Sequence, residues 1–204
     1  MTSWENPVPL PPFPDSPLAR AADRMLCAAS PPALVAHCYR TYRFGSAFLE
    51  GQRRGFDAEA LFIASVLHDL ALTETHDDPR APFEVHGASL AERELHARGA
   101  RPDLVELVRD AIALHMEVTT AEDPRPEVAA VHLGAAADVM GLRLDRLPPA
   151  LLADVLELHP RQGFTAFVTD VVRRQAAAKP DSHIARMVRH DGFLKLVAAA
   201  PFGD

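Results

Sequence analysis

The sequence predicts an all-α fold, a single helical domain preceded by a proline-rich N-terminal arm. Three observations carry this prediction. The composition is rich in Ala and Leu and only 6% aromatic, a mixture that favours helix. Apolar residues recur at three- and four-residue spacing through most of the chain, and no segment alternates with a period of two. Proline and glycine fall at the edges of the periodic stretches, where helices start and stop. With 204 residues, 48% of them hydrophobic, the chain suits one domain with a sizeable core.

Residues 1–17 contain Pro7, Pro9, Pro11, Pro12, Pro14 and Pro17 and cannot be helical. They are predicted to form an extended arm, anchored by Trp4 and Phe13, lying on the domain formed by residues 18–204 or on a neighbouring subunit of a homo-oligomer. Ser16 and Pro17 supply an N-cap and a first-turn proline for a helix to residue 29. Pro31 and Pro32 restart the chain, and residues 33–53 read as a long helix with Leu34, Cys38, Tyr42 and Leu49 near one face. Asp57 caps a further helix that runs to about residue 72. Asp77, Asp78 and Pro79 mark a turn in the polar stretch that follows. Helices over residues 84–98, 102–116, 127–140, 149–158, 164–178 and 183–199 complete the set, with Gly99 and Gly141 closing two of them. The proline arm is the only low-complexity tract, and no internal repeat is present.

Charge and composition exclude several function classes. The formal net charge is -7, Lys occurs only at Lys179 and Lys195, and no basic stripe is present, so nucleic acid is not an expected partner. No apolar run approaches the roughly 20 residues of a membrane span, and no charged stretch followed by an apolar one marks a signal peptide. Cys27 and Cys38 lie in apolar helical surroundings and are predicted to be reduced, buried thiols of a cytoplasmic protein.

The chemistry centres on His68 and Asp69, which end the apolar run Phe62–Leu67. Burying an unpaired carboxylate is costly, and a metal ion would compensate it; the alternative is a polar helix end facing solvent. His37 lies in the apolar middle of its helix, with Leu34, Arg40, Thr41 and Phe44 as helical neighbours, where a lone histidine is ordinarily a satisfied core residue. His115 ends the run of residues 107–114, and Asp138 sits among Gly134, Ala135, Ala136, Ala137, Val139, Met140 and Gly141. Each has an ordinary explanation alone. Together they place several imidazoles and carboxylates at the apolar centres of separate helices, which would be costly without an ion. Nitrogen and oxygen donors without thiolate favour Zn, Fe, Mn or Ni.

The order His37, then His68-Asp69, then Asp138 resembles the H…HD…D pattern of the HD-domain metalloenzyme superfamily. The stretches around His37–Gly45, Val66–Thr73, Phe83–Ala88, Ala111–His115 and Gly134–Gly141, with Pro160-Arg161 beyond, are similar to its cyanamide hydratase-like branch. The resemblance spans about residues 33–164. It implies an HD-type helical bundle with His37, His68, Asp69 and Asp138 as ligands of a divalent Zn or Fe ion. Some HD proteins add two histidines between the HD pair and the last Asp. His86 and His115 occupy that interval and leave room for a second metal, two Fe in all, although His86 departs from the hydratase-like branch. Ordinary alternatives are a solvent-facing helix start for His86 and a pocket-lining hydrogen-bond donor for His115.

The resemblance implies a small-molecule hydratase or hydrolase in which activated water attacks a nitrile such as cyanamide. Asp69 would bind metal and accept the water proton, His115 would donate to the developing anion, and Arg40, Thr73 and Glu84 would orient substrate. For Thr73 and Glu84, helix capping is the competing reading. Three other functions compete. A phosphohydrolase would use Arg40 and Arg43 as cationic clamps, a di-iron oxygenase would use all six ligands, and a metal-stabilised binding protein would turn nothing over. His76, His96, His132, His159, His183 and His190 read as surface or structural residues.

Overall fold

The computed structural model describes residues 10–203. Among them are ten α-helices and no strand, in the order α1 (Pro17–Ala29), α2 (Pro32–Gly51), α3 (Ala58–Leu67), α4 (Phe83–Ala97), α5 (Pro102–Leu114), α6 (Pro126–Met140), α7 (Pro149–Leu158), α8 (Phe164–Ala178), α9 (His183–His190) and α10 (Phe193–Ala198). The all-α prediction holds. Local chemistry sets the boundaries. Pro17, Pro32, Pro102, Pro126 and Pro149 each open a helix, where a missing N–H costs nothing. Ser16 caps α1 by accepting from the Ala19 N–H at 3.0 Å, and Asp57 caps α3 from the N–H groups of Glu59 and Ala60 at 2.9 and 3.0 Å. Gly141, at φ 71°, closes α6 in the left-handed conformation that glycine adopts without penalty.

Helices α2, α3, α5 and α6 form the centre. α1 covers α3, α4 covers α5, and α8 and α10 close the opposite side against α2 and α6. One apolar cluster runs through α1–α6, built on residues such as Leu34, Phe62, Leu67 and Ile112. A second joins Leu72, Phe83 and Val139 to α8–α10 through Val168, Val172, Ile184 and Phe193. The seam between these two clusters is where the polar groups of interest lie.

Two boundaries differ from expectation. The helix predicted through residue 72 ends at Leu67, and the chain resumes as a short 3-10 turn at Leu70–Leu72. His68 and Asp69 are therefore the break itself. The helix predicted over residues 183–199 is two, because Gly192 at φ 68° turns the chain between α9 and α10. Cys38 is buried and Cys27 exposed, so the expectation of two buried thiols fails for Cys27; both are free. No helix among the described residues is long and apolar enough to cross a membrane.

The described part of the arm rests on its own domain. The Phe13 ring packs 5.0 Å from Tyr39, 5.5 Å from Tyr42 and 5.0 Å from Phe62, with the Arg43 guanidinium 4.1 Å from its centre. Arg43 also donates to the Pro11 carbonyl. Trp4, the other expected anchor, lies outside the described residues.

The closest approach in the bundle is the crossing of α2 and α6. A Cβ at Gly134 would lie 2.1 Å from the Thr41 carbonyl oxygen, and one at Gly45 would lie 2.6 Å from that of Ala130. Backbone cannot yield as a flexible side chain does, so Gly134→Ala should cost about 3 kcal/mol in chemical denaturation. Gly51→Ala, where a Cβ meets nothing within 4 Å, should be neutral or stabilising by up to about 1 kcal/mol. Equal effects of the two substitutions would show that the crossing does not depend on glycine.

Candidate metal centre

Three imidazoles reach the seam from different helices, and each is fixed by its Nδ1. His68 and His115 are the residues that end α3 and α5. Each ring turns back to donate Nδ1–H to the carbonyl three residues earlier, Ser65 at 2.8 Å and Ile112 at 2.6 Å. Those carbonyls belong to last turns, where few backbone donors remain, so the same bonds help cap the helices. His37, in mid-α2, donates Nδ1–H to Asp138 Oδ2 at 2.7 Å. These partners assign the tautomers and leave all three Nε2 atoms with free lone pairs.

The Nε2 atoms meet around Asp69. His37 Nε2 lies 3.2 Å from His68 Nε2, and Asp69 Oδ2 lies 3.4 and 3.3 Å from these two nitrogens. Asp69 Oδ1 is 3.6 Å from His115 Nε2. One ligand atom each from His37, His68 and Asp69 fall within 4.8 Å of one another, and all three residues are buried.

The electrostatics favour positive charge at this focus. Two nitrogen lone pairs 3.2 Å apart repel unless a proton or a cation lies between them. Burial pushes His68 down to about 3, so it stays a neutral donor. Burial also opposes charge on His37, but its hydrogen bonds to Asp138 and Asp69 outweigh this and raise it. Burial opposes charge on Asp69, but the three imidazoles packed around it outweigh this and hold its carboxyl well below the usual range. Two imidazole nitrogens on anchored rings and a carboxylate form a donor set that could hold a divalent cation, which would take the place of a proton on His37.

Asp138 takes a different place from the ligand position expected of it, because of helical phase. On α6, Gly134 and Asp138 face α2, whereas His132, Ala135, Ala136 and Val139 form the neighbouring face at spacings of three, four and seven. Arg40 Nε donates to Asp138 Oδ1 at 2.7 Å and Arg40 Nη2 to Oδ2 at 2.8 Å, while Arg161 Nη1 donates to Oδ1 at 3.0 Å. With His37 also on Oδ2, the carboxylate is saturated and stands behind the imidazole. Its pKa is depressed, since His37 and Arg40 outweigh the effect of full burial.

The floor of a cavity of about 170 Å³ is formed by His37, His68, Asp69 and His115. Sequence reasoning set His132 aside as surface or structural, yet it lines this cavity and donates Nδ1–H to the His115 carbonyl at 2.8 Å. Its spacing from the small residues Ala135, Ala136 and Val139 is the signal that places it there.

The five other candidates lie off the cavity wall. Arg40 is committed to Asp138 and, through Nη1, to the His159 and Pro160 carbonyls at 2.9 and 3.2 Å. Thr73 donates its hydroxyl to the Leu70 carbonyl at 2.8 Å and closes the 3-10 turn. Glu84 is buried in the first turn of α4, with Oε2 lacking a hydrogen-bond partner. His86 is half-buried on the same turn and interacts with His76 and Asp78, away from the three imidazoles. Arg43 is turned to Phe13 and Pro11.

No known family model matches the chain. It is similar to the cyanamide hydratases DDI2 and DDI3 of Saccharomyces cerevisiae, each 25% identical over 197 residues that cover 94% of this chain and 86% of the relative.

Removing the Asp138 charge would leave two buried guanidinium groups without their counter-ion. Asp138→Asn, which preserves shape, should cost about 3–5 kcal/mol in urea unfolding. Thr73→Val removes one local hydrogen bond and should cost about 1 kcal/mol. An Asp138→Asn variant as stable as the parent would contradict the charge arrangement described.

Proposed function

We propose that this protein is a metal-dependent hydratase of the HD-domain type that adds water to a carbon–nitrogen triple bond, with cyanamide as the reference substrate. The observation carrying this reading is the convergence of three Nδ1-anchored imidazoles on Asp69 at the floor of an apolar cavity. The likeness to two cyanamide hydratases over most of the chain supports it. His37, His68 and Asp69 would hold the ion, with His115 adjoining and Asp138 fixing the tautomer of His37. When bound, a Zn or Fe ion supplies Lewis acidity, lowering the pKa of water and polarising the triple bond.

The chain's own residues account for the protons. As the water oxygen bonds to the nitrile carbon, Asp69 accepts the departing proton, and a proton returns to the nitrogen that gains the electron pair. His115 Nε2, 3.6 Å from Asp69 Oδ1, is the imidazole not assigned to the ion, and that proton passes through it. Addition of one water to cyanamide gives urea. The reaction neither oxidises nor reduces, so it needs no second metal, and His86 has no part in it.

Phosphohydrolysis is less well supported, because the cationic clamps it requires are engaged elsewhere. Arg40 is bound to Asp138, Arg43 is turned to the arm, and the one cation on the cavity wall, Arg143, is exposed. A metal-stabilised binding protein would use the same donors to hold its ion, and measured turnover separates it from the hydratase. The same reading takes residues 18–204 as the metal-binding domain, a small molecule as the partner, and the cytoplasm as the compartment.

Metal analysis of protein purified without chelator, with urea formation from cyanamide, tests the proposal. His68→Ala and Asp69→Ala should each lose the bound metal, and turnover should fall by about a thousandfold or more. His86→Ala should keep both. Full metal content and activity in His68→Ala or Asp69→Ala would refute the assignment.

A further inference from the structure

The cavity is far larger and far less polar than cyanamide requires. Its volume is about 170 Å³. A cavity of about 150 Å³ lined by aliphatic and aromatic side chains accepts benzene, so there is room here for about six or seven non-hydrogen atoms. Cyanamide has three. Polar groups are confined to the floor, apart from His132, whose Nδ1 is already bonded, and exposed Arg143. The remaining wall is apolar, drawn from α6, α8, α9 and α10 through residues such as Ala136, Val139, Val168, Val172, Ile184 and Phe193. Met116, Met140 and Met187 add unbranched side chains that adapt to ligands of varied shape. At the mouth, Val118 and Leu142 expose 74% and 43% of their surface, which is unusual for large apolar side chains and suits the entry of an apolar ligand.

We infer that the substrate carries an apolar body of about four or five carbon atoms behind its reacting group, an aliphatic nitrile larger than the reference substrate cyanamide. For the reacting head this rests on the hydratase reading; for the body it rests on the cavity alone. The unsaturated head sits at Asp69 and the hydrocarbon body lies against α6, α8 and α9. A phosphate or carboxylate on the body would meet the same wall.

A series of straight-chain nitriles from acetonitrile to octanenitrile, with cyanamide and benzonitrile alongside, tests this on the protein as purified with its metal. Equilibrium dissociation constants are measured by calorimetry, and KM and kcat separately for whatever is turned over. Each buried methylene is worth about 0.8 kcal/mol, so affinity should rise about fourfold per carbon, roughly 200-fold from acetonitrile to hexanenitrile, and then fall once the cavity is full. Ala136→Leu, which fills part of the wall, should move the maximum to a shorter chain; if that variant does not fold, the parent series still decides. Rising affinity with nitrile hydration supports both readings. Rising affinity without hydration of any nitrile supports the apolar body and overturns the hydratase. Hydration of cyanamide with affinity flat or falling along the series overturns the apolar body and leaves the hydratase standing.

Discussion

Everything at this site depends on how closely α2 and α6 cross. Gly45 and Gly134 remove the side chains that would hold the two backbones apart, and carbonyls of one helix come within reach of the other. That approach brings Asp138 against His37 and Arg40, two residues one turn apart on α2. The resulting cluster of one carboxylate, two guanidinium groups and one imidazole is fully buried, and buried ion pairs of this kind contribute little net stability against an apolar replacement. What the arrangement provides is orientation. Asp138 fixes the tautomer and rotation of His37, and the two arginines satisfy the carboxylate so that it does not compete for whatever occupies the focus. Asp69 is left as the one carboxylate on the cavity wall among the described residues.

The anchoring of all three imidazoles has a common consequence. A ring that must rotate or change tautomer to act loses part of its interaction energy in doing so. Here each Nδ1 is already bonded, two of them to carbonyls in the last turns of α3 and α5. The breaks after Leu67 and Leu114 are therefore more than helix ends: each lets its histidine turn back onto the last turn, with Nε2 within 3.6 Å of Asp69. In surroundings this apolar, charges interact more strongly than in water, so correct placement matters more than the number of polar groups.

Much of this was legible in the sequence. Proline at the first turn, Ser16, Asp57 and Gly141 mark helix boundaries by stereochemistry that needs no tertiary information. The stretch Phe62–Leu67 is buried on every side, so it has no amphipathic phase, and the end of α3 could not be read from it. Gly192 could have been a tolerated interior glycine or a left-handed turn, and only packing against α8 distinguishes them. The meeting of His37, His68 and Asp69 was foreshadowed by their setting in apolar helices and by the resemblance those residues carry. The place of Asp138 was not, because a pattern of residue types says nothing about helical rotation. Asp138 and His132 are six apart on α6, more than 100° in angle, and the crossing with α2 turns the first toward His37 and the second toward the cavity.

A polarity gradient this steep also decides how a ligand is aligned. A molecule with one polar head and one apolar body has two ways to enter. Head-first, it meets the nitrogen and carboxylate groups of the floor and covers its body with aliphatic wall. Body-first, it loses both at once, since the head is desolvated against valine and alanine while Asp69 and His115 face hydrocarbon. The two penalties add, so the correct orientation needs no dedicated hydrogen-bond donor along the wall. A cavity with so few polar groups beyond its floor can therefore align such a molecule: alignment comes from where the polar atoms are absent.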